Sequence, residues 1–268
     1  MSLSIQNRTA IVTGAANGVG LAIARHLLDQ GARVVCADLD EARLTAEWGS
    51  LARTEGPVRL FAGDLREKLT IANLLSVAVD AFDRIDILVN ASRRVALSDP
   101  LSPDADGVEE MLSQNLLTAL RVSQMTARRM IQQAQRDRRE GMIGSIVNLS
   151  SIAAQRAQPE LLGYGIAAAA LDQMTRALAL ALAPKGIRVN AVALGSVLTA
   201  SLQACLDDNP DWREGIESGT PLGRIAGADE VAATVQFLAS DAAGFLTGQV
   251  IALDGGRSLA DVVRAPGH

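Results

Sequence analysis

The chain has 268 residues, of which 49% are hydrophobic and 21% are charged, a composition typical of a globular protein with one substantial core. Its formal net charge is −5, and its basic residues are dispersed instead of forming an arm or stripe, which argues against a nucleic-acid partner. No uninterrupted apolar run reaches the roughly 18 residues of a membrane helix, and the first residues do not resemble a signal peptide. We therefore expect a cytoplasmic protein with no membrane segment.

The few cysteines and lysines of the chain bear on the kinds of site that it can contain. Cys36 and Cys205 occur in no CxxC motif and predict buried structural thiols, not disulfides or redox centres. No cluster of His, Cys and carboxylate residues has metal-ligand spacing, so no metal site is predicted. Of the 25 basic residues, only Lys68 and Lys185 are lysines.

Short β-branched runs alternate with longer helical patterns along the whole chain. Seven runs predict strands, at residues 9–13, 33–37, 58–62, 85–90, 145–149, 188–193 and 249–253. Six segments with helical spacing of apolar residues predict crossover helices, at residues 19–30, 40–54, 67–82, 105–139, 161–183 and 229–239. This alternation predicts a single α/β domain over residues 1–268, with a doubly wound, seven-stranded parallel sheet flanked by helices.

Two segments interrupt this pattern. Residues 200–220 have irregular patterning and predict a small excursion, so that residues 196–220 could form a lid beyond the carboxyl ends of the strands. The charged run at residues 136–140 predicts a solvated helix end, and a binding patch is the alternative interpretation.

A glycine-rich turn follows the first predicted strand and opens the first predicted helix. It runs from Thr13 to Gly20 and carries Gly14 and Gly18 between them. Glycine allows a tight turn and a close approach of the backbone to a pyrophosphate, whose charge is favoured at a helix N-terminus. Because the motif lies between a strand and a helix, it predicts a Rossmann-type dinucleotide site, mainly within residues 1–90.

Two acidic residues follow the next two predicted strands. Asp38 comes 18 residues after Gly20, where a carboxylate accepts hydrogen bonds from a ribose and repels a 2′-phosphate, so NAD is favoured over NADP. Arg43 nearby leaves NADP as the less favoured alternative. Asp64 follows the third strand, where either an adenine contact or a helix N-cap would explain it.

The spacing Thr-Gly-x-x-x-Gly-x-Gly resembles the short-chain dehydrogenase/reductase family, and the likeness extends over essentially the whole chain. Further matches occur in order: the strand ending at Asn90, the helix residue Asn115, the strand bearing Ser151, Tyr164 thirteen residues later, and a closing strand before Gly255. The resemblance implies a small-molecule alcohol or ketone as substrate, and a homotetramer or homodimer formed through the two long helices at residues 105–139 and 161–183.

The resemblance also assigns site residues. It implies that Tyr164 exchanges a proton with the substrate oxygen, that Ser151 holds that oxygen and that Asn115 orders a water. It implies that the dinucleotide contacts Thr13, Gly14, Asn17, Gly18, Val19, Gly20, Asp38, Leu39, Asp64, Leu65, Asn90, Ala91, Gly195, Val197 and Thr199. The substrate half would then lie within residues 91–268, where an amphipathic pocket is predicted from Leu97, Leu101, Arg156, Leu161, Leu198 and Trp212.

The chain departs from the family at the catalytic end. The family has a lysine four residues after the tyrosine, which stabilises the phenolate and holds the nicotinamide ribose, whereas this chain has Ala168. A phenol is a poor base at neutral pH unless its anion is stabilised. The family also has glycine where this chain has Arg93, in the segment after Asn90.

Three interpretations follow from these departures. In the first, the protein is a working variant in which Arg93, Arg94 or Arg156 supplies the missing positive charge. In the second, it no longer catalyses and keeps the dinucleotide as a structural or regulatory ligand. In the third, it is a structural subunit paired with an active relative. The retained Ser151, Tyr164 and Asn115 favour the first interpretation.

Overall fold

In the computed structural model, which describes residues 2–52 and 55–261, the main sheet has seven parallel strands. Its strand order is β3-β2-β1-β4-β5-β6-β9. The strands are β1 (Thr9–Thr13), β2 (Arg33–Asp38), β3 (Val58–Ala62), β4 (Ile87–Asn90), β5 (Gly144–Ser151), β6 (Ile187–Leu194) and β9 (Val250–Leu253). Two short strands, β7 (Val197–Leu198) and β8 (Ala226–Gly227), pair with each other outside this sheet.

Helices cover both faces of the sheet. They are α1 (Gly18–Asp29), α2 (Glu41–Trp48), α3 (Lys68–Phe82), α4 (Val108–Met111), α5 (Thr118–Arg136), α6 (Leu162–Leu182), α7 (Ala200–Asp208), α8 (Pro210–Ser218) and α9 (Ala228–Ala239). A π-helical segment, Leu112–Leu117, joins α4 to α5 without a break. The chain reverses between β1 and β4 in the sheet order, and this reversal opens the crevice in which α/β proteins bind ligands.

The central strands are buried on both faces, which explains their continuous apolar sequences. Every residue of β1 and β6 is buried. On one side, α1 and α9 pack on the sheet through fully buried residues such as Ile23 and Val235, and on the other side α3 and α5 do so through Ile71 and Met130. Packing on two faces holds the carboxyl ends of the strands, and the residues that follow them, in a rigid frame.

The structure confirms the doubly wound parallel sheet and its seven strands, and it corrects three details. The predicted helix at residues 105–139 begins at Val108, contains the π-helical turn and ends at Arg136. Residues 200–220 are not irregular, because α7 and α8 occupy most of them and separate at Asn209. The predicted helix at residues 40–54 ends earlier, at Trp48, and its last two residues lie outside the described part of the chain.

Two further expectations need comment. Cys36 is buried as predicted, but Cys205 is exposed on α7, so the prediction of a buried thiol there is wrong. The segment Pro159–Lys185, which includes α6, is long and apolar enough to cross a membrane by length and composition. A core helix meets the same criterion, and α6 packs against β5 and β6. The absence of a membrane segment therefore stays a prediction.

Candidate active site

The glycine-rich turn joins β1 to α1 and leaves an open cradle. Gly14 and Gly18 both have positive φ angles, +70° and +54°. A Cβ atom added to Gly14 would lie 2.8 Å from the Cα of Ser92, so no larger residue fits there. A Cβ atom on Gly18 would meet only the methyl group of Thr199, at 3.7 Å. The space between Gly18 and Thr199 is thus bounded by backbone on one side and by a small side chain on the other.

The first turn of α1 points into this cradle. Asn17 is its N-cap residue, and its side chain makes no capping hydrogen bond. Gly18, Val19 and Gly20 form the first helical positions, whose amide N–H groups have no partner within a helix. Free amides at a helix N-terminus favour a phosphate, as the sequence predicts.

The two acidic residues have different surroundings. Asp38 ends β2, and its two carboxylate oxygens accept hydrogen bonds from the backbone amides of Ala16, at 3.0 Å, and Asp40, at 3.1 Å. A carboxylate has about four acceptor positions, so these two bonds leave Asp38 able to accept from a ribose. The adjacent Leu39 is exposed.

Asp64 is held by an ion pair. The guanidinium of Arg66 donates to both of its oxygens, and this interaction lowers the pKa of the Asp64 carboxyl. The N-cap of α3 is Glu67, so the interpretation of Asp64 as an N-cap is wrong. Leu65 beside it is buried. An adenine contact by Asp64 stays a prediction.

Side chains at the ends of β1 and β4 hold the two strands together. The hydroxyl oxygen of Thr13 accepts hydrogen bonds from the amides of Ala91, at 3.1 Å, and Ser92, at 3.0 Å. The amide group of Asn90 points inward and donates to Ser123 and Asn148. These contacts set the direction in which the chain leaves β4, and they bring the next residue, Arg93, over the site.

Arg93 contacts the hydroxyl of Tyr164 directly. Its Nη1 atom donates to the Tyr164 Oη atom at 3.1 Å. Tyr164 lies in the first turn of α6 and is 7% exposed, so its ring is fixed by packing. Among the three arginines proposed from sequence, Arg93 is therefore the one that the structure brings to the phenol.

The other two arginines are held elsewhere. The side chain of Arg94 forms an ion pair with Glu110. The Arg156 guanidinium donates to the backbone carbonyl of Ser258. Because both groups have partners away from Tyr164, the expectation that either one supplies the missing charge is not met in this conformation.

Asn115 fixes the segment that carries Arg93. It lies in the π-helical turn, where its Oδ1 accepts from the amide of Arg94 and its Nδ2 donates to the carbonyl of Arg94, both at 2.8 Å. This reciprocal pair of hydrogen bonds locks the backbone directly after Arg93. The sequence predicts a water-ordering role for Asn115, and the structure instead directs its side chain to the protein backbone.

A cavity of about 20 Å³ lies beside Tyr164. Ala168, one helical turn after Tyr164 on α6, forms part of its wall. Its polar lining includes Ser92, Arg93, Asn115 and Tyr164. A space of this size accommodates one water molecule, and such a site needs two to four polar partners. The small side chain of Ala168 thus leaves room for a water beside the phenol.

Ser151 is the last residue of β5, at the sheet edge where Tyr164 also lies. Its hydroxyl accepts from the amide of Ala153 at 3.2 Å and lies 3.5 Å from the carbonyl oxygen of Leu194. Ala153 in turn packs against the cluster that contains Tyr164. The serine is thereby positioned by the backbone at the same sheet edge as the phenol.

The segment after β6 completes this edge. The amide of Gly195 donates to the carbonyl of Leu253 at 3.0 Å. Val197 is buried at the start of β7, and the hydroxyl of Thr199 caps α7 by accepting from the amide of Leu202. The methyl group of Thr199 is therefore the part that faces Gly18 across the cradle.

Sequence reasoning missed a buried carboxyl group on the same helix. Asp172 lies two turns after Tyr164 on α6 and is 3% exposed. Burial raises the pKa of its carboxyl, although the Ser150 hydroxyl and the Arg176 charge oppose this shift. The spacing of four residues from Tyr164 to Ala168 to Asp172 is the signal that would have placed it on the inward face.

Because its pKa is raised in the folded protein, Asp172 lowers the free energy of unfolding at neutral pH. The unfolded chain loses this proton at a lower pH than the folded chain does, so the ionised carboxyl destabilises the fold once the pH exceeds about 4. We expect Asp172→Asn to raise the Tm at pH 7.5, and the gain to disappear as the pH falls below about 4. Thermal melts across this range test it, with the exposed Asp80→Asn as the control. An equal or lower Tm at pH 7.5 contradicts the expectation.

The residues at this edge fit a dinucleotide. The open cradle at Gly18, the free amides of α1 and the carboxylate of Asp38 match the pyrophosphate and ribose in order. Within residues 2–52 and 55–261, no group of three His, Cys, Asp or Glu side chains is arranged to hold a metal ion. The site thus has the chemistry of a dinucleotide-dependent oxidoreductase with a phenol at its catalytic end.

Known proteins agree with this class. The family model described as Enoyl-(Acyl carrier protein) reductase matches residues 14–258. The chain is 30% identical over 259 residues to 2,3-dihydroxy-2,3-dihydro-p-cumate dehydrogenase of Pseudomonas putida, covering 96% of this chain and 97% of that protein. It is 34% identical over 254 residues to D-erythrulose reductase of Gallus gallus, covering 95% and 97%.

A solved structure extends the comparison to three dimensions. The 7α-hydroxysteroid dehydrogenase complexed with NADH and 7-oxo glycochenodeoxycholic acid superposes with a TM-score of 0.85 at 27% identity, covering 95% of each chain. The chain therefore belongs to the short-chain dehydrogenase/reductase family, whose members are oxidoreductases that act on hydroxyl and carbonyl groups and use nicotinamide dinucleotides.

Proposed function

We propose that this protein is an NAD(H)-dependent oxidoreductase that interconverts a hydroxyl and a carbonyl group on a small molecule, with Arg93 in place of the family lysine. One observation carries the proposal: the Arg93 guanidinium donates to the Tyr164 hydroxyl at 3.1 Å. A protein that had lost catalysis would have no need to keep the phenol and to place a new cation against it. The arginine therefore supports a rearranged active site over an abandoned one.

Arg93 stabilises the phenolate through charge and a hydrogen bond. A unit charge about 4 Å away is worth roughly 4 kcal/mol at an effective dielectric of 20, an upper value for a partly solvated site. Arginine keeps its proton under all ordinary conditions, so it cannot pass a proton onward. Arg93 thus supplies electrostatic stabilisation alone.

The remaining residues divide the work on the substrate oxygen. A bound nicotinamide supplies the hydride acceptor in oxidation and the hydride donor in reduction. Ser151 Oγ holds the substrate oxygen, and Tyr164 Oη takes or gives its proton. The proton leaves the phenol through a water in the cavity beside Ala168, which the Ser92 hydroxyl and the Arg93 guanidinium can hold. Asn115 acts as a positioning residue because it locks the backbone next to Arg93.

The preference for NAD rests on Asp38. Its carboxylate lies at the end of β2, with acceptor capacity left for both ribose hydroxyls. A 2′-phosphate at this place would face its negative charge. The structurally similar 7α-hydroxysteroid dehydrogenase is described as a complex with NADH, which agrees with the proposal.

The substrate proposal is broad. Leu97 and Leu101 lie between β4 and α4, Leu198 lies in β7 and Trp212 in α8, and all four side chains are apolar and exposed. Together with Arg93 they favour an amphipathic alcohol or ketone. Cytoplasmic location and assembly as a homotetramer or homodimer through α5 and α6 stay predictions. The exposed apolar residues Ile166 and Leu180 on α6 agree with a partner helix.

Tyr164→Phe tests the proposed chemistry. Phenylalanine keeps the packing of the ring and removes only the hydroxyl, so we expect turnover to fall by about 10²–10⁴ while NADH binding is unchanged. The assay follows absorbance of NADH with a panel of small secondary alcohols and their ketones, and fluorescence titration measures NADH binding. Equal rates in wild type and variant contradict the proposed role.

The NADH titration and the substrate panel also distinguish the proposed enzyme from the two alternatives. A regulatory or structural homologue would bind NADH in the wild type and show no turnover on any member of the panel. A subunit of a mixed assembly would instead co-purify with a relative that carries the complete set of catalytic residues. In both cases Tyr164→Phe would leave every measured property unchanged.

A further inference from the structure

A second cavity lies at the opposite end of the sheet from the candidate active site. Its volume is about 590 Å³, within the range of small-molecule pockets. It is lined by residues at the amino ends of β1, β4, β5 and β6, which are neighbours in the sheet. Those strands separate it from the glycine turn and from Tyr164, so it is not part of the proposed active site.

Arginines dominate the charge of this cavity. Four of them line it, with two aspartates as the acidic lining residues: Arg8, Arg84, Arg139 and Arg188, with Asp86 and Asp241. Among the described lining residues, the arginines thus exceed the carboxylates by two. The sequence interpretation of residues 136–140 as a solvated helix end needs correction at Arg139, which faces the cavity.

Both carboxylate oxygens of Asp86 already have hydrogen-bond or ion-pair partners within the protein. It is 5% exposed, and its Oδ2 accepts from the amide of Thr9 at 3.0 Å. Its Oδ1 accepts from Arg84 Nε at 2.9 Å and lies 3.5 Å from Arg139 Nη1. Two guanidiniums thus converge on one carboxylate oxygen. Arg139 Nη1 is nevertheless buried without a hydrogen-bond acceptor among the described residues.

The other side of the cavity is also short of negative charge. Arg8 pairs with Asp241 at 2.6 Å. Arg188 is 5% exposed and donates only to backbone carbonyls, those of Ser240 and Leu246, within the described chain. Burial lowers the pKa of Arg188, and the nearby charge of Arg8 lowers it further. Two like charges therefore lie close together in a partly desolvated place, which an anion would relieve.

We infer that this cavity binds a small molecule carrying a phosphate dianion. The excess of two positive charges matches a phosphate monoester at neutral pH. Arginine forms bidentate hydrogen bonds with phosphate oxygens, and guanidiniums from several chain segments can each reach a different oxygen of a tetrahedral group. The volume leaves space for an organic moiety beside the phosphate. This inference goes beyond the proposed oxidoreductase activity and does not depend on it.

Isothermal titration with inorganic phosphate and with glycerol 3-phosphate tests the inference, with NADH present so that the glycine turn does not contribute. Arg139→Gln removes the positive charge and the donor that has no hydrogen-bond acceptor in the described part of the chain while leaving a polar side chain, and we expect it to weaken binding about tenfold or more. Arg136→Gln is the matched control, because Arg136 lies three residues earlier and pairs with Asp137 outside the cavity. We expect its affinity to equal that of the wild type.

Each other outcome overturns the inference. If the wild type binds neither compound at about 10 mM, a concentration that fills a millimolar site, the protein has no such phosphate site. If Arg136→Gln and Arg139→Gln weaken phosphate binding equally, or if neither weakens it, phosphate does not bind in this cavity. Succinate binding as tightly as phosphate, with the same dependence on Arg139, removes the preference for phosphate. Thermal melts with and without phosphate distinguish lost binding from misfolding of a variant.

Discussion

Replacing Arg93 by glycine lowers turnover by about 10²–10³ at neutral pH, because the phenolate of Tyr164 loses the guanidinium that lies 3.1 Å from its oxygen. The effect falls on kcat more than on KM, since the charge matters most when the phenol is ionised. Initial rates over a range of alcohol concentrations at pH 7.5 give kcat and KM for the wild type and the variant.

Ala168→Lys tests whether long side chains at positions 93 and 168 compete for the same space beside the phenol. Arg93 and Ala168 line the same cavity of about 20 Å³, which is too small for two long cationic side chains. We therefore expect Ala168→Lys alone to reduce activity and stability. In combination with Arg93→Gly it restores activity, because the lysine then reaches the phenol as in the family.

Arg94→Gly is the matched control for this cycle. Arg94 is adjacent in sequence, but its side chain pairs with Glu110 and does not reach Tyr164. We expect its rate to lie within about threefold of the wild type, as for the loss of an exposed ion pair. If Arg93→Gly and Arg94→Gly have equal rates, or if the double variant stays as slow as Arg93→Gly, the proposed exchange of cation is wrong.

Replacing Asp38 by asparagine changes the coenzyme preference by about 10²-fold or more in favour of NADP. The substitution keeps an acceptor oxygen that can receive the amide of Ala16, but it removes the negative charge that a 2′-phosphate would face. The KM for NAD rises by about tenfold, because bonds from the ribose to a neutral acceptor are weaker than those to a carboxylate. Values of kcat/KM for both coenzymes measure the two effects.

Asp40→Asn is the control for Asp38→Asn. Asp40 lies two residues later and its carboxylate caps α2 by accepting from the amide of Arg43. Asparagine is also a good N-cap, so the fold is preserved and the local charge changes by the same amount. If both variants alter the preference equally, the effect is one of general charge and Asp38 has no specific contact with the ribose. If neither alters it, the proposed preference for NAD has another origin.

The fold was predictable from the sequence because its signals are local. Parallel strands buried on both faces require continuous apolar runs, and Ile11, Val35 and Val189 belong to such runs. The glycine turn was predictable for the same reason, since glycine adopts the positive φ angles of Gly14 and Gly18 without steric cost. The segment at residues 200–220 was missed because α7 and α8 are short and bury only Leu206 between them, so the core constrains little of their sequence.

The catalytic end was only partly predictable. The sequence indicated that a charge was missing at Ala168 and named three arginines that could replace it. It could not choose Arg93, because the choice depends on where the chain goes after β4. The contacts of Thr13 with Ala91 and Ser92 decide that path, and these residues lie 78 and 79 positions away in sequence.

The sequence by itself determined the doubly wound sheet, the dinucleotide turn and the family to which the chain belongs, because each depends on the order of residue types along the chain. Only the tertiary structure decided that Arg93 meets Tyr164 and that Asn115 locks the adjacent backbone. Likewise, only the fold brought Arg8, Arg84, Arg139 and Arg188 into one cavity. Charge acts through distance in space, and packing of the strands sets those distances.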